Sequence, residues 1–164
     1  MGNSDSELLA RAEQVGERLE ALGLMLATAE SCTGGWLSKV VTDVAGSSGW
    51  FERGFVTYSD DAKREMLGVS AKTLDAHGAV SKAVAVEMAR GAVAHRRAKV
   101  SVAVTGIAGP GGGTADKPVG TVWLAWYRSG GHLATYHATF GGDREAVRRE
   151  TVCKALDGLI EFLQ

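Results

Sequence analysis

Apolar positions recur at intervals of three and four at the start of the chain. Leu8, Ala12, Val15, Leu19 and Leu22 share one helical face over residues 7–22. Ser4 with Glu7 has the pattern of a capping box, and Gly23 stands where a helix-terminating glycine belongs. Leu24 to Ala27 is then a short apolar run with glycine before it and polar residues after, which predicts a buried strand. A helix is expected to open at Ser31-Cys32-Thr33-Gly34-Gly35 and to run to about Val44, with a loop over 43–48 and a second strand over 54–58. Short helices follow at about 60–67 and 70–76. A longer one starts at Ser81 and carries Ala85, Met88, Ala89 and Ala92 on one face. Val100 to Val104 reads as a third strand, followed by a glycine-rich loop over 106–118. Two β-prone runs, 119–126 and 133–140, are joined by Ser129-Gly130-Gly131 as a hairpin. The last helix, about 143–163, buries Val147, Val152, Leu156, Leu159 and Leu163.

That order predicts an α/β fold: three α/β/α layers around a mixed, partly parallel sheet of about five strands. Strands joined through helices should be parallel, and the hairpin should add antiparallel ones. With 164 residues and no repeats or linkers, a single domain over 1–164 is expected. The net charge of −1 gives no general affinity for nucleic acid, and no apolar run approaches the roughly 18–20 residues of a membrane span. The polar N-terminus does not read as a signal peptide. Met1 to Ser6 fits the short myristoylation pattern, yet the same residues make a helix start. Cys32 and Cys153 form no CxxC, and His77, His95, His132 and His137 are scattered, so neither a metal site nor a cofactor is expected. Two unpatterned cysteines suit the reducing cytoplasm. Trp50 and Phe51 read either as loop-anchoring core or as the contact of a homodimer or higher homo-oligomer.

In open α/β sheets the crevice lies beyond the carboxyl ends of the parallel strands. Three strands end here on hydroxyl-rich loops: Thr28 to Gly35, Thr57-Tyr58-Ser59, and Thr105 to Gly113. Around Ser31, Cys32, Thr33 and Gly34, a helix N-terminus would offer backbone N–H groups to an oxyanion. Ser31 is a candidate nucleophile there, and a plain helix cap is the other reading. Cys32 is a rival, because a helix N-terminus lowers a thiol pKa. Without a Ser-His-Asp arrangement, Lys63 in the first turn of its helix is a candidate base; a solvated lysine is the alternative. Thr105, Gly106, Gly109, Gly111 and Gly112 resemble an anion cradle without the Gly-Lys-Ser/Thr of a P-loop. Arg144 and Arg148, four apart near a helix N-terminus, could grip a phosphate, or be solvated, or pair with Glu145.

Six ordered blocks carry a resemblance: TAESCTGG at 28–35, Tyr58-Ser59 with Lys63, Gly78-Ala79-Val80-Ser81, TGIAGPGGG at 105–113, KPVGTV at 117–122, and Phe140 with Gly142-Asp143-Arg144. Together they resemble the nicotinamide-nucleotide amidohydrolase family, the C-terminal domain of competence/damage-inducible CinA proteins. The resemblance implies hydrolysis of nicotinamide mononucleotide to nicotinate mononucleotide and ammonia, in pyridine-nucleotide recycling and without metal. It implies Ser31 as nucleophile, Lys63 as base, and Tyr58 in proton transfer or substrate positioning. Many members are fused behind a larger nucleotide-processing domain, which this chain is expected to lack. Asp60-Asp61 departs from the Asn-Glu type of pair expected beside the lysine.

Overall fold

In the computed structural model, which describes residues 3–164, the elements run α1 (Asp5–Leu22), β1 (Leu26–Glu30), α2 (Trp36–Thr42), a 3₁₀ turn (Ser47–Gly49), β2 (Phe51–Val56), α3 (Asp60–Leu67), α4 (Ala71–His77), α5 (Lys82–Ala92), β3 (Val100–Gly106), β4 (Thr121–Arg128), β5 (His132–Thr139) and α6 (Arg144–Phe162). Met1 and Gly2, on which the myristoylation pattern turns, lie outside the described residues. The capping box of Ser4 and Glu7 forms, and Gly23 closes α1 in the left-handed conformation.

The sheet order is β2-β1-β3-β4-β5. β1 pairs in parallel with β2 and with β3, and β3, β4 and β5 pair antiparallel. Alternation along the strands builds two different faces. Val100, Val102 and Val104 of β3, with Val122, Leu124 and Trp126 of β4, pack on Leu8, Leu19, Leu156 and Leu159 of α1 and α6. The opposite face is small: Ala27, Ala29, Ala103 and Ala125 lie under Ala85, Met88 and Ala89 of α5. Small side chains on the strands let α5 approach closely, and α3 and α4 pack beside it. Helices therefore cover both faces, in the three layers expected.

Three expectations shift. The β1 and β2 boundaries move by two or three residues. The stretch from Ser31 to Gly35 is a tight turn, and α2 begins only at Trp36. Trp50 is no surface anchor: it is 2% exposed and packs against Gly16 of α1, where a Cβ would come within 2.6 Å of the indole. The missing side chain at Gly16 makes the slot that Trp50 fills, so the tryptophan is committed within one chain. Phe51 packs partly buried against the same core.

Candidate active site

The three parallel strands end at one edge of the sheet, at Glu30, Val56 and Gly106. The loops leaving them meet α3 and the start of α6 around a cavity of about 290 Å³. Size does not distinguish it, since a depression beside Val86, Arg90 and Leu133 has about 570 Å³. Its distinction is a buried lysine on a buried serine. Lys63 Nζ donates to Ser31 Oγ at 3.0 Å and to the Thr57 carbonyl at 2.8 Å. Lys63 is only 2% exposed.

Each partner is placed by its local sequence. Ser59 caps α3, its hydroxyl accepting from Ala62 N–H, and that start puts Lys63 on the inner face one turn later. Burial pushes the Lys63 ammonium below its ordinary pKa, and the negative charge of Asp60 partly opposes this. Ser31 follows β1 directly; its N–H donates to Val104 of β3, and its carbonyl accepts from Gly34.

The turn carrying Ser31 is organised by Glu30, a residue to which no local sequence pattern assigns a role. Glu30, fully buried, turns its carboxylate back under the turn. One oxygen accepts from Thr33 Oγ1 at 2.7 Å and Leu37 N–H at 2.8 Å; the other accepts from Ser38 N–H at 3.0 Å and Ser38 Oγ at 2.6 Å. The free N–H groups of α2 thus hold an internal carboxylate, which corrects the expectation that they face an oxyanion beside Ser31. Its available signal was a charged residue ending an apolar strand, since a carboxylate buried there needs several donors. Glu30 also links the two halves of the site: its carbonyl accepts from Thr57 N–H at 2.8 Å, and Thr57 in turn holds Lys63.

Cys32 lines the cavity beside Ser31 but is 5% exposed, and burial pushes its thiol up to about 11. That reverses the lowering expected from a helix N-terminus and leaves almost no thiolate near neutral pH. Gly106 is needed next to it: a Cβ there would lie 3.2 Å from Cys32 Sγ and 2.7 Å from Val122. Thr105 Oγ1 donates to Ala79, fixing the opposite wall. Gly109, Gly111 and Gly112 also line the cavity. Among the described residues, the N–H groups of Ala108, Gly109, Gly111 and Gly112 donate no hydrogen bond. Lys117 Nζ ties the far end of this loop to the His77 carbonyl at 2.5 Å.

The two arginines separate. Arg144, the first residue of α6, reaches over the cavity and donates to Gly109 O at 2.8 Å and Tyr58 Oη at 2.7 Å. Tyr58 stands at the rim, 60% exposed. Arg148 lies behind the turn that carries Ser31, donating to Cys32 O at 3.1 Å and Thr33 O at 3.0 Å while stacking on Trp36. Arg148, Thr33 and Gly34 lie outside the cavity lining.

Residues 9–163 match the CinA C-terminal domain. The chain belongs to that family. This CinA-domain chain is 56% identical over 162 residues to "Nicotinamide-nucleotide amidohydrolase PncC" of Escherichia coli (strain K12), covering 98% of each. It is 51% identical over 151 residues to the PncC of Pseudomonas putida, covering 92% of this chain and 94% of that one. Among solved structures, the competence/damage inducible protein CihA from Agrobacterium tumefaciens superposes with a TM-score of 0.94 at 47% identity, covering 100% of this chain and 99% of that one. No described helix of this CinA domain is long and apolar enough to cross a membrane.

Proposed function

We propose that this single CinA domain is an amidohydrolase that converts nicotinamide mononucleotide to nicotinate mononucleotide and ammonia, using Ser31 and Lys63. The observation carrying the proposal is the buried Lys63 Nζ to Ser31 Oγ contact of 3.0 Å, in a chain so similar to named nicotinamide-nucleotide amidohydrolases. Neutral Lys63 takes the Ser31 proton as Oγ attacks the carboxamide carbon. The N–H of Cys32, which donates to no other residue among those described, is the donor assigned to the developing oxyanion. Lys63 then hands its proton to the departing nitrogen, ammonia leaves, and an ester to Ser31 remains. Water attacks the ester, Lys63 accepts its proton, and the acid leaves as Ser31 is re-protonated. Tyr58 and Arg144 close one side of the substrate. Arg144 and the Gly109–Gly112 loop are assigned to the phosphate, because Arg144 keeps unused guanidinium donors and the loop keeps free N–H groups. Arg148 supports the turn and is withdrawn from that role.

The proposal includes a cytoplasmic setting, consistent with two free cysteines. It also includes a homodimer, whose contact must use a surface other than Trp50. The test is ammonia release from the mononucleotide. Wild type and Cys32→Ala should release it, and Ser31→Ala should not, while still binding the mononucleotide. Release by Ser31→Ala with loss in Cys32→Ala would move the nucleophile to the thiol.

A further inference from the structure

The cavity holds charges of both signs. Asp60 lines the cavity together with Ser31, Tyr58 and Lys63. It is the first residue of α3 and Lys63 the fourth, so the two side chains are neighbours one turn apart on that helix. Among the described residues Asp60 makes no ion pair, whereas its neighbour Asp61 faces Arg64 at 3.6 Å and lies outside the lining. An unpaired carboxylate beside the reacting group has consequences for substrate choice.

We propose that Asp60 reads charge in this site: it favours a cationic ring next to the reacting carboxamide and disfavours the carboxylate product. The inference rests on the amidohydrolase reading above. The pyridinium ring of the mononucleotide carries a fixed positive charge, and its carboxamide is neutral. Water and the carboxamide become a carboxylate and ammonium, so a negative charge appears where Ser31 and Lys63 stand. The protonated form of Lys63 attracts that new charge and would retain the product. Asp60, one helical turn away, offsets the attraction while its pull on the cationic ring aids substrate entry. Field effects of this kind are moderate at an exposed position and weaken with salt.

The same carboxylate acts on the base. Of the titratable and charged side chains that line the cavity with Lys63, Asp60 on its own helix and Cys32 from the β1–α2 turn act on its charge, while Tyr58 after β2 and Arg144 from α6 pair with each other. Asp60 raises the lysine pKa against the lowering by burial. Removing the charge at 60 therefore moves the rise of activity to lower pH.

The experiment compares wild type, Asp60→Asn and Asp61→Asn. Asp61→Asn is the control, because it deletes an equal charge from the same helix start outside the cavity. Turnover is measured with the mononucleotide and with its 1,4-dihydro form, which keeps the carboxamide but has an uncharged ring. Asp60→Asn should cut the preference for the cationic form by about 3- to 10-fold, tighten product inhibition by a similar factor, and lower the midpoint of the pH rise by about 0.3–0.5 unit. Asp61→Asn should move none of the three. Unchanged preference and product inhibition in Asp60→Asn, or equal effects in both variants, overturn the proposal. Calorimetric binding of the two ring forms to Ser31→Ala, with and without Asp60→Asn, reads the same preference without turnover. If wild type released no ammonia, the amidohydrolase reading would fall, and these binding data would still judge Asp60.

Discussion

Replacing Glu30 by Gln is the most direct test of how Ser31 is held. The side chain is fully buried and accepts four hydrogen bonds, two from backbone N–H groups and two from hydroxyls. Glutamine keeps the shape but turns one oxygen into a donor. Placed at either oxygen position, that NH₂ confronts one backbone N–H, of Leu37 or of Ser38. The nearby hydroxyl can rotate and accept, but the N–H cannot. One orphaned buried N–H costs about 1–3 kcal/mol, and the loss of charge assistance at the remaining bonds adds about 0.5–1 kcal/mol each. With two bonds left at the other oxygen, the sum is about 2–5 kcal/mol, a large share of the roughly 5–15 kcal/mol that holds a domain together. At about 2–4 °C per kcal/mol for a chain of this size, scanning calorimetry should show Tm falling by about 4–20 °C. In the folded fraction at low temperature, kcat should drop about 10- to 100-fold with KM little changed, since Ser31 loses its aim while the phosphate end is untouched. A Tm within about 2 °C of wild type and kcat within about twofold would refute the account of Glu30 as the organiser of the turn.

Lys63→Arg keeps the charge but cannot deprotonate near neutral pH, so its kcat should match that of Lys63→Ala; substantial retained activity would leave the lysine as an electrostatic clamp only. For wild type, kcat/KM should rise with pH as Lys63 loses its proton, because the proposed base is the neutral amine. Stability should rise with it: between the lowered native pKa and the ordinary 10.5, the unfolded state binds the additional proton. A kcat/KM that fell with pH over this range would reverse the assignment. Arg144→Ala should raise KM for the mononucleotide about 10- to 100-fold and matter much less for the dephosphorylated riboside. Arg148→Ala should instead lower Tm and kcat for both substrates alike; an Arg148 effect confined to the phosphorylated substrate would restore it to the phosphate site.

The layers, the parallel and antiparallel pairings and the convergence of three loops were legible because alternation and helical spacing are local signals, as in β3 with its valines on one face. Ser31, Lys63 and Arg144 were legible as residue types beyond strand ends. Three features were not. The turn at 31–35 read as helix because its anchor, the Glu30 carboxylate, reaches forward seven and eight residues, beyond any local pattern. The burial of Trp50 depends on Gly16, 34 positions earlier in the chain. The separation of the arginines depends on α6 meeting the β1–α2 turn: spacing by four puts both on one helix face but does not say that one turn further in lies behind Ser31.

The β4–β5 hairpin routes the chain away from the cavity and back to it. β3 leaves the sheet at the cavity, so β4 starts there and carries the backbone to the opposite end, where residues 129–131 turn. β5 then brings it back over eight residues, paired from Arg128↔His132 to Thr121↔Thr139, and delivers Arg144 to the rim. The hairpin thus works as a fixed-length tether for a residue of the site, though it supplies no side chain of its own to the Ser31–Lys63 contact. Added residues at its tip would be absorbed in solvent, far from the cavity, and make a suitable point for grafting a tag or a reporter. A single residue inserted within β5 would reverse the facing of the strand beyond it and displace the arginine, with every residue at the Ser31–Lys63 contact left in place.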